Sequence, residues 1–368
     1  MHQEIQYCTT PDGVRLAYSV IGKGTPIVRT PHWFSHLEYD LQGPIFRHQI
    51  LGLAHRHSVL RYDGRGMGLS LRDVRDLSFD RQVEDLETVV DSSGLKRFAL
   101  LGLSAGAAVA IAYASHRPER LTHLILYGGF ARGLLYRENP EKAKHILELS
   151  CALVREGWGS DQESYREFFT SQFFPDGTIE HHRWLNNVQH ITATPEIAEQ
   201  LLCTVAGTNV VDLLPKVRVP TLVMHTRGDV PVPFSQGQEI AAGIPGAKFV
   251  PLESRNHLIL ADEPANRQFF DAIASFLGDR RIPLNIGFLP LPVDPKQWRW
   301  PTPFAPRALP RFITTMEQSE PDRCIGTFSL AVLAACAFSL NITDQGLKFH
   351  TKARMRVTPP AHRTPHGQ

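Results

Sequence analysis

Six short apolar runs, separated by stretches of helical character, most constrain what this chain can fold into. They are Thr25–Thr30, His57–Asp63, Arg97–Leu103, Leu121–Gly129, Pro220–Asp229 and Ala247–Ser254. Their apolar residues run on continuously instead of alternating with polar ones, as in strands buried on both faces. Between them lie helix-like stretches, among them Phe79–Ser92, Ala105–His116 and Ser235–Ala242. Buried strands alternating with helices predict an α/β fold, with a mostly parallel central sheet covered on both faces.

The rhythm breaks once. About 90 residues between Gly129 and Pro220 hold no convincing strand, too long a span for a structureless loop. Helical stretches such as Glu141–Glu156 and the aromatic cluster Arg166–Phe174 predict a helical insertion over about 130–219, a cap across one end of the sheet. After Gly278 the character changes. Residues 279–324 are dense in proline and read as a poorly ordered linker. Residues 325–368 hold an apolar run and a tail with five Lys/Arg and no acid from Gln345 on, also read as poorly ordered. The expected organisation is one folded domain over 1–278 followed by these two segments.

Composition narrows the function classes. A formal charge of +2 gives no global pull toward nucleic acid, and none is expected as a partner. The five cysteines, Cys8, Cys151, Cys203, Cys324 and Cys336, form no CxxC pair, so free thiols in a reducing cytoplasm are expected. The N-terminus lacks the basic-then-apolar pattern of a secretory signal. The uncharged run Ile325–Ile342 spans 18 residues, the short limit for a membrane helix, and its Gly, Thr, Ser and Asn residues argue against membrane attachment. Oligomeric state leaves no sequence signal.

The stretch Gly102-Leu103-Ser104-Ala105-Gly106 raises the chemical question. An apolar strand enters it and a run of small residues leaves it as a helix. A sharp strand–turn–helix elbow exposes a serine oxygen, and the helix N-terminus behind it favours a developing oxyanion. A serine is a weak nucleophile without a base, and the base needs an orienting acid. In chain order Ser, acid, His, the candidates are Asp229, at the end of one strand-like run, and His257, just after the last. His257 would take the Ser104 proton and return it to the leaving group. Asp229 would stay ionised and orient the imidazole. The bland readings are a plain turn for Asp229, and for His257 one ordinary loop histidine among the 17 in the chain. His32 with His36, and His181 with His182, lack a Cys or carboxylate at ligand spacing, so no metal is expected.

These residues together resemble the α/β-hydrolase family. Tyr62–Ser70 is similar to the family's Asp-x-Arg-Gly-x-Gly-x-Ser loop, and Arg227–Phe234 and Ser254–Leu260 to its acid and histidine loops. The resemblance covers about Tyr7 to Gly278. It implies a structural bracing role for Asp63, Arg65 and Gly66. It also implies an oxyanion hole made by the backbone N–H groups of Ala105 and Trp33, with the Trp33 indole walling the pocket. His32, Trp33 and Leu103 are the candidate substrate contacts. More narrowly, Pro31–Asp40, Asp76–Leu95 and Gly243–His257 resemble bacterial hydrolase domains fused to helix-turn-helix regulators or class III adenylate cyclases.

The expected activity is hydrolysis of a small ester, thioester, lactone or related acyl compound through a Ser-His-Asp acyl-enzyme, with no cofactor. The cap aromatics Trp158, Phe168, Phe169, Phe173, Phe174 and Trp184 suggest an apolar pocket, or simply the core of the cap. The alternative is a ligand-sensing domain of a regulator with little turnover.

Overall fold

The computed structural model describes residues 3–137 and 139–279, and the expected linker, apolar run and basic tail lie outside them. Its eight strands are β1 (Glu4–Thr9), β2 (Arg15–Ile21), β3 (Thr25–Arg29), β4 (His57–Tyr62), β5 (Phe98–Leu103), β6 (Leu121–Tyr127), β7 (Thr221–Thr226) and β8 (Lys248–Leu252). They form one sheet in the order β1-β2-β4-β3-β5-β6-β7-β8. The pairs β1/β2 and β2/β4 are antiparallel, and all the others are parallel.

The continuous apolar runs follow from where alternate side chains go. In β5, Phe98 and Leu100 enter one core cluster while Ala99, Leu101 and Leu103 enter the other. In β6, Leu124 and Leu126 divide from Ile125 and Tyr127 in the same way. Both faces are covered, so neither set of positions tolerates polar residues.

Helices α1 (Tyr39–Gln42), α2 (Arg47–Ala54), α3 (Phe79–Ser92) and α4 (Gly106–His116) connect the first six strands. Helix α3 presents Leu86, Val89 and Val90 to the core and its polar face to solvent. Helix α4 is buried from Gly106 through Ala114, and its small residues let it lie close to the sheet. Four helices follow between β6 and β7: α5 (Pro140–Gly157), α6 (Ser164–Phe173), α7 (Ile179–Thr192) and α8 (Pro195–Gly207). Three of them start at side-chain caps, where Asn139, Thr178 and Thr194 accept from the backbone N–H groups of Lys142, His181 and Ile197. Helices α9 (Phe234–Gly243) and α10 (Pro264–Leu277) complete the layers. Residues of α3, α4 and α9 join one core cluster, and residues of α2 and α10 the other.

The loop after β4 is braced as a unit. Arg65 is buried and pairs with Asp85 at 2.6 Å and Asp12 at 2.9 Å. Asp63 Oδ2 accepts from the Leu69 N–H at 2.8 Å, and Ser70 Oγ donates to the Asp63 carbonyl at 2.7 Å. Burial pushes the Asp63 carboxyl pKa up to about 8. Cys8, Cys151 and Cys203 are free thiols. No helix among the described residues is long and apolar enough to cross a membrane.

Candidate active site

One strained residue and two close approaches build the elbow. Strand β5 ends at Leu103 and α4 begins at Gly106, so Ser104 and Ala105 make the turn between them. Ser104 takes the strain, with φ at 53°, a region that side chains with a Cβ rarely occupy. The glycines supply clearance. A Cβ on Gly106 would run into Thr30 Oγ1 and the Pro31 carbonyl oxygen, and one on Gly102 would lie 2.7 Å from the Ala110 Cβ. The Ser104 N–H donates to the Tyr127 carbonyl at 2.9 Å, tying the turn to β6.

The loops after β7 and β8 bring two more side chains to this carboxyl edge of the sheet. His257 Nε2 lies 2.8 Å from Ser104 Oγ, and His257 Nδ1 lies 2.6 Å from Asp229 Oδ2. With its Nδ1–H donating to the carboxylate, the neutral imidazole keeps Nε2 as the acceptor for the serine hydroxyl. All three residues are buried. Burial alone would raise the Asp229 carboxyl pKa. The adjacent His257 and the hydrogen bonds from His225 and His257 reverse that and hold it at about 2. Asp229 is therefore ionised at neutral pH. Its Oδ1 accepts from the Val232 N–H at 2.9 Å, which fixes the carboxylate plane.

Two residues here carry no motif signal. His225, four positions before Asp229 within β7, lies 3.3 Å from Asp229 Oδ2 and 2.8 Å from the Val232 carbonyl oxygen through Nε2. Its place as the one ionisable residue in the otherwise uncharged strand Thr221–Thr226 is the only sequence hint of it. Tyr127 ends β6, and its hydroxyl donates to the His257 carbonyl at 2.8 Å while accepting from the Ile259 N–H at 3.0 Å. The His257 N–H donates to the Phe173 carbonyl at 2.9 Å, so α6 also holds the loop.

A sequence model of the alpha/beta hydrolase family matches residues 31–272. The chain belongs to the alpha/beta hydrolase family. It is similar to RutD of Azorhizobium caulinodans, which bears the name of a carbamate hydrolase: 27% identity over 281 residues, covering 72% of this chain and 95% of RutD. Two solved structures share the fold. An esterase from Exiguobacterium antarcticum superposes with a TM-score of 0.65 at 22% identity, covering 74% of this chain and 99% of its own. An enol-lactonase from Burkholderia xenovorans superposes with a TM-score of 0.62 at 20% identity, covering 74% and 100%. Family and relatives together make the protein a hydrolase enzyme.

In this α/β-hydrolase a cavity of about 320 Å³ has Trp33, Ser104 and Ala105 in its wall. Phe168, Phe169 and Phe173 of α6 line it too, whereas Trp158, Phe174 and Trp184 are buried in the core. Both readings of the cap aromatics therefore apply, each to different residues. The backbone N–H groups of Trp33 and Ala105 have no carbonyl partner among the described residues.

His32 and Leu103 do not line this cavity. The His32 ring stacks on Phe46 with centroids 3.9 Å apart and reaches Asp40 Oδ2 at 3.3 Å. Burial lowers its pKa despite that carboxylate. Leu103 packs into the core cluster that α10 covers. His181 and His182 are engaged locally, with Thr178 and with Glu167 at 2.6 Å respectively. Among the described residues no group of three or more His, Cys, Asp or Glu is placed to hold a metal ion.

Proposed function

We propose that this α/β-hydrolase cleaves a small ester, thioester, lactone or related acyl compound through a covalent acyl-enzyme. The observation that carries the reading is the unbroken hydrogen-bonded chain from Ser104 through His257 to Asp229, at 2.8 and 2.6 Å. In this reading Ser104 Oγ attacks the acyl carbon and its proton passes to His257 Nε2. Ionised Asp229 stabilises the resulting imidazolium. The carbonyl oxygen gains the negative charge and is met by the N–H groups of Ala105 and Trp33. His257 then gives the proton to the leaving group. A water repeats the sequence, its proton going to Nε2 and on to the departing Ser104 oxygen. The names of the relatives support this class: carbamate hydrolase, esterase and enol-lactonase each denote cleavage of an acyl–heteroatom bond.

Helices α5, α6 and α8 would act as the cap that selects the substrate, since their side chains make much of the cavity wall. The likeness to regulator-fused domains motivates the alternative of ligand sensing. One experiment separates the two: steady-state hydrolysis of 4-nitrophenyl butyrate by wild type and Ser104→Ala. Many turnovers per wild-type molecule, absent in the variant, support the hydrolase. Binding of the ester without turnover supports the sensor.

A further inference from the structure

We propose that Arg137 binds a carboxylate carried by the substrate, at a point apart from the bond that is cleaved. The inference rests on the acyl-transfer reading and adds to it the substrate's class: a small acyl compound with an apolar body and one anionic group.

Arg137 is the one charged side chain in the described wall of the cavity that contains Ser104. Its guanidinium is already oriented. Nε donates to the Arg132 carbonyl at 3.1 Å and Nη1 to the Pro231 carbonyl at 3.2 Å, while the group lies 5.5 Å over the Phe130 ring. Those acceptors are neutral, so none of them balances the charge. Nearby Arg132 differs, because Glu239 pairs with it at 2.6 Å. No carboxylate among the described residues lies within ion-pair distance of Arg137, although Asp229 and Glu239 act on it through space, and Nη2 has no protein acceptor among the described residues. Asp229, the acid of the adjacent loop, is committed to His257 and His225.

The other polar donors of the wall are neutral: the backbone N–H groups of Trp33 and Ala105 beside Ser104, and the buried Trp33 Nε1–H, which has no partner among the described residues. Ser150 Oγ and Gln172 Nε2 turn back onto their own helices, each donating at 2.8 Å, to the carbonyls of Ile146 and Phe168. What remains is largely aliphatic and aromatic. A half-buried cation in such a wall attracts an anion more strongly than it would in water. A guanidinium also matches the planar geometry of a carboxylate. Because the side chain is held in place before binding, little ordering entropy is lost when the anion arrives. The cavity volume, about 320 Å³, sits at the low end of ligand pockets and limits the substrate to a small one.

The test compares two esters of matched shape, mono-4-nitrophenyl adipate and 4-nitrophenyl heptanoate. Arg137→Met is expected to lower kcat/KM for the adipate ester by about 10- to 100-fold, the range for a lost hydrogen bond to a charged group. It should leave the heptanoate ester within about twofold, and Arg137→Lys should fall between. Equal losses on both esters would make Arg137 a structural tie between loops and overturn the proposal, as would no change on either. A second readout needs no variant: adipate should inhibit wild-type hydrolysis of the heptanoate ester at least about tenfold more strongly than its neutral diamide, adipamide. Equal inhibition overturns the proposal. If Ser104-dependent hydrolysis occurs but ignores residue 137 and the carboxylate, only this inference falls. If wild type hydrolyses neither ester, the acyl-transfer reading falls and this one with it.

Discussion

The Tyr127 hydroxyl donates to the backbone carbonyl of His257 at 2.8 Å, so a residue at the end of β6 holds the loop that carries the imidazole. Burial raises its phenol pKa well above the ordinary tyrosine value, which keeps the proton on the donor. Tyr127→Phe preserves the ring and removes the hydroxyl. The His257 carbonyl and the Ile259 N–H then lose their partner in a buried place. The expected cost is about 1–3 kcal/mol of stability, read from urea unfolding. We also expect kcat to fall with KM nearly unchanged, because the imidazole loses its aim at Ser104 while the cavity wall stays intact.

Ser104 pays a conformational cost for its position, with φ at 53°. Ser104→Ala and Ser104→Gly should both abolish turnover. They should differ in stability, since only glycine relieves the left-handed strain. We expect the glycine variant to be about 1 kcal/mol more stable than the alanine variant in urea. Equal stabilities would mean that the elbow stores no strain.

Asp229 makes a pH-dependent prediction. Its folded-state pKa, about 2, is below that of an unfolded aspartate, about 3.9. A depressed carboxylate pKa contributes stability that is present above the unfolded value and is lost as pH falls through the folded one. The part of the stability difference between wild type and Asp229→Asn that this carboxylate contributes should therefore shrink as pH falls from about 5 toward 2. Urea titrations at several pH values check this. Asparagine should also disfavour the imidazole tautomer that leaves Nε2 free, so turnover should drop by about three to four orders of magnitude.

Gly106 has no room for a side chain, because a Cβ would meet Thr30 Oγ1 and the Pro31 carbonyl oxygen. Gly106→Ala should cost about 1–3 kcal/mol by overpacking. It should also lower kcat, since the turn that carries Ser104 must shift. Unfolding and steady-state rates on the same preparation test both.

Five of the six strands legible as apolar runs are largely buried on both faces, as in β5 and β6, whereas β8 at the sheet edge is legible from its apolar residues although only Leu252 is buried. The hairpin β1–β2 is not, because four of the six residues of β1 are exposed at the sheet edge and leave no apolar run. Its signal is the turn Pro11-Asp12-Gly13, with Gly13 at φ 84°. Ser104, Asp229 and His257 are legible as candidates because each sits in a local strand-end context in a fixed chain order. Side-chain direction near the ends of strands is less legible. His32 follows β3 but turns to Asp40, a buried carboxylate that also meets Arg61 at 3.5 Å. Leu103 precedes the serine but faces the core. Arg137 and Tyr127 escape detection because their partners, Pro231 and His257, lie 94 and 130 positions away.

The central claim is that His257 activates Ser104, and intact-protein mass after treatment with a fluorophosphonate probe tests it most directly. The probe phosphonylates an activated serine and releases fluoride. The account predicts a single adduct on wild type, none on Ser104→Ala, and none on His257→Ala in the same reaction time. Absence of an adduct on folded wild type, or one that persists in Ser104→Ala, would contradict it.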